Sequence, residues 1–165
     1  MRIHIGSDHA GLELKNALSA YLTGKGHDVK DHGPFEYDAL DDYPVFCIPA
    51  AQATAAEPGS FGIVIGGSGN GEQMAANKVN GVRAALVWSL ETAKLAREHN
   101  NANVISVGGR LHSIEDCQAF IDAFLATPFT LLAAICSPLP EPPITMPNEP
   151  GSVAVACAAG IQKTG

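Results

Sequence analysis

Seven consecutive residues, Gly66-Gly67-Ser68-Gly69-Asn70-Gly71-Glu72, are rich in glycine and end on a carboxylate. Glycine lacks the Cβ that blocks sharp turns, so such a run can bend its backbone and aim successive N–H groups into one cavity. At the start of a helix those groups form a cradle for negative charge. Glu72 beside that cradle has the make-up of a general base. Proton abstraction next to a carbonyl needs a base on one side and donors for the developing oxyanion on the other. Ser68, upstream of Glu72, is spaced to hydrogen-bond the same oxygens. The plainer readings are a tight turn that binds nothing and a glutamate that only faces the helix dipole. No Lys-Ser/Thr pair follows Gly71, so this is not a Walker loop, and the G-x-G-x-x-G spacing of a dinucleotide site is absent.

Two further segments pair glycine with chemistry: Gly6-Ser7-Asp8-His9 and Gly108-Gly109-Arg110. Together with the glycine run they offer carboxylate, imidazole and guanidinium groups, the last suited to clamping a phosphate. Helix capping by Asp8 and a solvated Arg110 are the bland alternatives. His99-Asn100 closes a helical segment, where His99 is either a catalytic imidazole or a cationic C-terminal cap. His4, His27, His32 and His112 have no partner at ligand spacing and read as structural or surface groups. No metal site is expected. Trp88 and the phenylalanines read as core.

These residues need strand ends to hold them, and the pattern supplies such ends. Arg2–Ile5, Val29–His32, Phe61–Ile65, Arg83–Val87 and Val104–Val107 read as short strands, most of them largely apolar. Between them lie helical segments over 11–24, 42–56, 69–78, 89–99 and 113–126. The first carries Leu14, Ala17, Leu18, Tyr21 and Leu22 at helical spacing, with Gly24 and Gly26 as stop signals. Ser89 and Ser113 stand as N-caps, although Thr92 occupies the position where a capping box prefers Glu. Strands separated by single helices imply parallel pairing and right-handed crossovers. The expected fold is α/β, a Rossmann-like doubly wound parallel sheet of about five strands with helices on both faces. In such sheets ligands bind beyond the carboxyl ends of the strands, where the three glycine-bearing segments would converge.

The chain has 165 residues, 46% of them hydrophobic and 16% charged, a globular balance that suits one domain with a tail. Its net charge of −7 and the lack of a basic stripe argue against nucleic acid. No apolar run is long enough to span a membrane, and Asp8 interrupts the N-terminal apolar stretch too early for a signal peptide. Cys47, Cys117, Cys136 and Cys157 are scattered, form no C-x-x-C pair and read as reduced thiols of a cytoplasmic protein. Residues 130–165 differ in kind. They hold six of the eleven prolines and Lys163 as their one basic residue, so an extended, Pro-rich tail is expected after a domain spanning 1–129.

At the level of motifs, the chain resembles the ribose-5-phosphate isomerase B family, which includes the subunits of galactose-6-phosphate isomerase. The matching stretches are Gly6-Ser-Asp-His-Ala-Gly11, Asp41-Asp-Tyr-Pro44, Gly66-Gly-Ser-Gly-Asn-Gly-Glu72, Ala76-Asn-Lys78, Ala96-Arg-Glu-His-Asn-Asn101 and Gly108-Gly-Arg110. The resemblance implies interconversion of ribose 5-phosphate and ribulose 5-phosphate, a step of the pentose phosphate pathway, without cofactor or metal. It also implies a homodimer with sites at the subunit interface, with a tetramer as the larger alternative. Many members use a cysteine in the glycine loop as base. That position is Ser68 here, and the resemblance passes the role to Glu72. His99, helped by Asp8, would open the sugar ring. The backbone from Gly67 through Ser68, Gly69, Asn70 and Gly71 would hold an enediolate. His9, Tyr43, Asn100 and Arg110 would contact substrate or its phosphate. Another sugar phosphate, galactose 6-phosphate or a tetrose phosphate, is the rival substrate, and a sugar-phosphate binding protein with weakened activity is the rival class.

One departure stands out. Members carry two phosphate-gripping arginines in a basic final helix, whereas no arginine follows Arg110 here. Two lost charge-assisted contacts at about 1.5–3 kcal/mol each would weaken binding by tens- to thousands-fold.

Overall fold

A computed structural model describes residues 1–130 of the chain. The expected tail therefore lies outside the described residues, as do Cys136 and Cys157. In chain order the elements are β1 (Arg2–Ser7), a 3-10 turn (His9–Gly11), α1 (Leu12–Gly24), β2 (Asp28–Asp31), α2 (Pro44–Ala56), β3 (Phe61–Gly66), α3 (Asn70–Ala76), β4 (Ala84–Leu86), α4 (Leu90–Glu98), β5 (Val104–Gly108) and α5 (Ile114–Ala126). The strands form one five-stranded sheet in the order β2-β1-β3-β5-β4, and every neighbouring pair is parallel. This is the expected doubly wound α/β sheet.

Alternation along each strand decides which helix it meets. Ile63 and Ile65 of β3 join Ile3, Ile5, Ile105 and Val107 in a core packed under α1, α4 and α5. Val64, one residue out of phase, faces a smaller core with Cys47 and Ala51 of α2 and Ala76 of α3. Phe124 is fully buried in the larger core, where truncation to Ala would cost about 3–5 kcal/mol. Chain order and space order part company between β1 and β3. α1 leads from β1 out to β2, whereas α3 leads from β3 the other way, toward β4. A crevice opens there at the carboxyl ends, the usual ligand site of such sheets.

Both sheet edges are blunted. β2 is short and carries Asp28, Lys30 and Asp31. On β4, the Asn77 side-chain amide donates to the Ala84 carbonyl (2.9 Å) and its oxygen accepts from the Ala84 N–H (2.8 Å), standing in for a neighbouring strand.

Three sequence expectations change. Trp88 is 59% exposed and Phe35 is 75% exposed, so neither belongs to the core. Both sit in connections at the carboxyl edge, where no helix covers them. The α4 cap is complete: Ser89 Oγ accepts from the Thr92 N–H (3.1 Å) and Thr92 Oγ1 accepts from the Ser89 N–H (3.1 Å). A threonine hydroxyl reaches the donor that Glu usually takes. Finally, α3 ends at Ala76 rather than Lys78, because Asn77 turns its side chain onto β4.

Candidate active site

The three glycine-bearing strand ends meet as expected. The Asp8 N–H donates to the Ile65 carbonyl (3.2 Å), the Gly109 N–H to the Gly66 carbonyl (2.8 Å) and the Arg110 N–H to the Gly67 carbonyl (3.1 Å). Loops after β1, β3 and β5 are thus stitched into one floor.

Glu72 lies in the first turn of α3, yet its side chain folds inward and is only 3% exposed. Its carboxylate occupies the space over Gly66 that a Cβ would need, so glycine at 66 is what admits it. Gly69 adopts φ 82°, a left-handed conformation that glycine takes without strain, and this turn starts α3. Ser106 Oγ locks the turn by donating to the Gly69 carbonyl (2.7 Å). Among the described residues the N–H groups of Gly67, Ser68, Gly69 and Gly71 donate to no carbonyl or side chain. A cluster of unpaired amide donors beside a buried carboxylate is what an oxyanion-generating reaction requires.

Burial pushes the Glu72 carboxyl above the usual carboxylate range; its own backbone N–H opposes that shift, and the nearby Asp8 carboxylate adds to it. An upward shift makes a carboxylate a stronger base. Cys47 lies near both carboxylates, and burial raises its thiol far above the ordinary range, which makes it inert packing.

The remaining expected residues divide sharply. Asp8 is buried and accepts from the Gly11 N–H (3.1 Å), so the helix-capping reading holds while its carboxylate also faces the Glu72 pocket. Tyr43 covers the cradle: a Cβ on Gly71 would come within 2.7 Å of the Tyr43 ring. The Arg110 side chain lies across Gly67, with Cδ 3.4 Å from where a Cβ would stand, and its guanidinium is exposed. His9 sits at the start of the 3-10 turn with its ring Nδ1 2.7 Å from Asp41 Oδ1. The Ser68 hydroxyl accepts from the Asn70 side-chain amide (3.2 Å), on the glycine loop beside the cradle.

His99 and Asn100 are not in this group. His99 caps the C-terminus of α4, its N–H donating to the Leu95 carbonyl (3.0 Å), and both side chains are exposed. α4 runs back from the carboxyl end of β4 to the start of β5, and the Asn100 carbonyl accepts from Arg83 Nε (2.5 Å) at the foot of β4. About 13 Å of strand, four residue steps along β5, separates that edge from the Glu72 cradle. Sequence proximity to a helix end could not reveal which edge that end would occupy. Asp41 appears in the sequence only within the Asp41-Asp-Tyr-Pro44 match, with no role assigned, because its position in an irregular loop shows no periodicity. The remaining histidines are structural: His4 is buried, with Nδ1 3.1 Å from His32 Nε2 and Nε2 3.2 Å from Glu57. Among the described residues no cluster of His, Cys, Asp and Glu has metal-binding geometry, and no helix is long and apolar enough to cross a membrane.

An open α/β sheet with a carboxylate and a glycine cradle at its switch point defines a class of small-molecule enzyme sites. Comparison with known proteins narrows the class. A family model described as Ribose/Galactose Isomerase matches residues 3–134. Ribose-5-phosphate isomerase B of Mycolicibacterium paratuberculosis is 60% identical over 130 residues, covering 79% of this chain and 82% of that protein. A galactose-6-phosphate isomerase subunit of Clostridium acetobutylicum is 43% identical over 125 residues, covering 76% and 72%. Among solved structures, ribose-5-phosphate isomerase B of Mycoplasma genitalium with bound ribulose-5-phosphate aligns with TM-score 0.75 at 45% identity, covering 78% of this chain and 85% of that one. The chain belongs to the ribose/galactose isomerase family, and it is an isomerase.

Proposed function

We propose that the enzyme interconverts ribose 5-phosphate and ribulose 5-phosphate, with Glu72 carrying the proton between C2 and C1. The observation that carries this reading is the buried Glu72 carboxylate set over Gly66 beside the unpaired amides of Gly67, Ser68, Gly69 and Gly71.

The furanose first opens: the anomeric hydroxyl gives up a proton, the ring oxygen gains one, and the C1–O4 bond breaks. His99, assisted by Asp8, serves as the proton carrier. Glu72 then removes the C2 hydrogen as a proton, and the electron pair flows onto the C1 carbonyl oxygen, giving a cis-enediolate. The loop amides hold the charge that develops there, an interaction stronger in the transition state than with the neutral aldehyde. The proton on O2 passes to O1, Glu72 returns its proton to C1, and C2 becomes the carbonyl carbon. His9, Tyr43, Asn100 and Arg110 contact the sugar or its phosphate.

Because His99 and Glu72 lie at opposite edges of one sheet, a shared site needs two copies of the chain. A homodimer with interface sites meets that need. Exposed apolar side chains on the β4 side, Met74 of α3 with Trp88 and Leu90 at the start of α4, suit such an interface. The reaction places the enzyme in the pentose phosphate pathway, and the free, buried Cys47 and Cys117 suit a reducing cytoplasm.

Turnover of ribose 5-phosphate by the wild type beside Glu72→Gln tests the reading. Loss of turnover with substrate binding retained is expected; an equally active Glu72→Gln overturns the base assignment. Galactose 6-phosphate, favoured by the likeness to the Clostridium subunit, is the second substrate to assay.

A further inference from the structure

The connection from β2 to α2 crosses the carboxyl edge of the sheet, and its path is tied down at several points. The Gly33 carbonyl accepts from the Ser7 N–H (3.0 Å), and the Gly33 N–H donates to Asp31 Oδ1 (2.8 Å). The other oxygen of Asp31 pairs with Lys15, a lysine with no exposed surface. Held this way, the connection delivers Asp41 to the site with its side chain only 8% exposed.

Both hydrogen bonds of Asp41 go to one residue. Its Oδ1 accepts from the His9 backbone N–H (2.9 Å) and lies 2.7 Å from the His9 ring Nδ1. A carboxylate can only accept, so the proton of the ring must sit on Nδ1. Two anchors on one oxygen fix both the main chain and the ring of His9. Tyr37 closes one side of the ring edge-on, with centroids 5.9 Å apart. The ring's second nitrogen, Nε2, diverges from Asp41 and has no partner among the described residues. With the proton held on Nδ1, a neutral ring offers a lone pair at Nε2 to a sugar hydroxyl, and a charged ring offers N–H to a phosphate oxygen. The second oxygen of Asp41, Oδ2, is buried without a partner among the described residues. Loop closure alone would be served by a smaller neutral acceptor, so the retained charge at this buried position points to the imidazole.

We propose that Asp41 is a positioning residue of this isomerase: it orients His9 and holds its ring in the Nδ1–H tautomer, so that Nε2 faces the substrate. The kinetic side of this inference rests on the isomerase reading above, whereas the tautomer does not.

Two measurements on the full chain separate those levels. The first is nitrogen-15 NMR of the histidine rings without substrate. The expected result is a His9 proton on Nδ1 in wild type that moves to Nε2, the position an unconstrained ring prefers, in Asp41→Ala. An unchanged tautomer in Asp41→Ala overturns the proposal. The second is a kinetic cycle with ribose 5-phosphate over wild type, Asp41→Ala, His9→Ala and the double variant. Loss of a bond to a charged group predicts KM raised about tenfold or more in Asp41→Ala, with kcat within about threefold. The double variant should fall close to His9→Ala, because the kinetic role of Asp41 runs through that ring and only its bond to the His9 backbone N–H survives the ring's removal. Fully additive losses overturn the proposal, since a merely structural aspartate would weaken the enzyme whether or not His9 is present. Asp41→Asn keeps an acceptor oxygen and should recover most of the affinity; failure to do better than Asp41→Ala counts against the bond. If Asp41→Ala does not fold, Asp41→Ser takes its place, its hydroxyl being too short to reach the ring. A wild type that fails to turn over the sugar phosphate sinks the isomerase assignment instead and leaves the NMR result to decide Asp41.

Discussion

The two ends of the sheet differ in what they leave unpaired. At the amino end most polar groups find partners, although Arg97 Nε and His27 Nδ1 have none among the described residues. Asn103 Oδ1 accepts from the Arg83 N–H (2.8 Å) and its amide donates to the Gly81 carbonyl (2.9 Å), while Arg97 stacks on Phe61 (4.9 Å) and donates to the Ala102 carbonyl (2.5 Å). At the carboxyl end, among the described residues, the loop amides donate to no carbonyl or side chain, the buried Glu72 carboxylate has no cationic partner, and Asp41 Oδ2 is unpaired. Unsatisfied groups cost folding free energy wherever they are buried. What sets the carboxyl end apart is a run of unpaired backbone amides around one buried carboxylate, an arrangement that a ligand would complete. Yet His99 stands at the other end. The contrast teaches that this chain by itself holds half of the proposed machinery at each end, which the proposed second copy would join.

The comparison breaks most readily at Glu72. Glu72→Gln should lower kcat by about 10²–10⁴, the usual worth of a general base, with little change in substrate affinity. Gly66→Ala should do comparable damage from the other side, because its methyl group would take the space of the Glu72 carboxylate; steady-state kinetics beside a thermal melt separates this from unfolding. Mixing two inactive parents tests the sharing of edges. Glu72→Gln and His99→Asn chains, unfolded and refolded together, should recover about a quarter of wild-type turnover, since half of random dimers carry one intact site. No recovery would mean that the two residues do not share a site across copies.

Changes at the amino end away from His99 and Asn100 should act on stability alone. Asn103→Ala loses two hydrogen bonds and should cost about 1–2 kcal/mol in denaturant melts while kcat stays unchanged. The smallest expected effect is in pH dependence. A carboxyl held above its ordinary range binds its proton more tightly folded than unfolded, so its ionisation works against folding as pH rises past the ordinary range. Glu72→Gln should therefore melt higher than wild type at pH 7, and that advantage should vanish toward pH 4. His32 has the opposite sign. Burial, with His4 and Lys30 nearby, lowers its affinity for a proton against a smaller opposing pull from Asp31, so its contribution to stability fades as pH falls below the ordinary histidine range. His32→Asn should flatten the loss of melting temperature between pH 7 and pH 5.

How much of this was legible in the residues alone varies by element. Every strand and helix was anticipated to within a few residues, because short apolar runs and helical spacing are local signals. The convergence of Gly6, Gly66 and Gly108 followed from the rule that parallel sheets present their carboxyl ends together. The N-cap of α4 was underrated, since threonine completing the box is a matter of side-chain reach. Trp88 and Phe35 were misjudged because hydrophobicity records what a residue prefers, not whether a neighbour arrives to cover it. The partner of Asp41 was not legible although the residue opens a matching motif, as an aspartate in a loop has no spacing to betray its partner.

Local pattern by itself determined the order of strands and helices, the glycine loop, and the pairing of a base with amide donors, since each depends on residues close in sequence. Tertiary structure alone decided that Glu72 folds over Gly66 and is desolvated, that Asp41 reaches His9 across 32 positions, and that His99 lies at the far edge. Those facts depend on where separate loops come to rest against one another, which strand order and packing impose and which no stretch of the chain encodes alone.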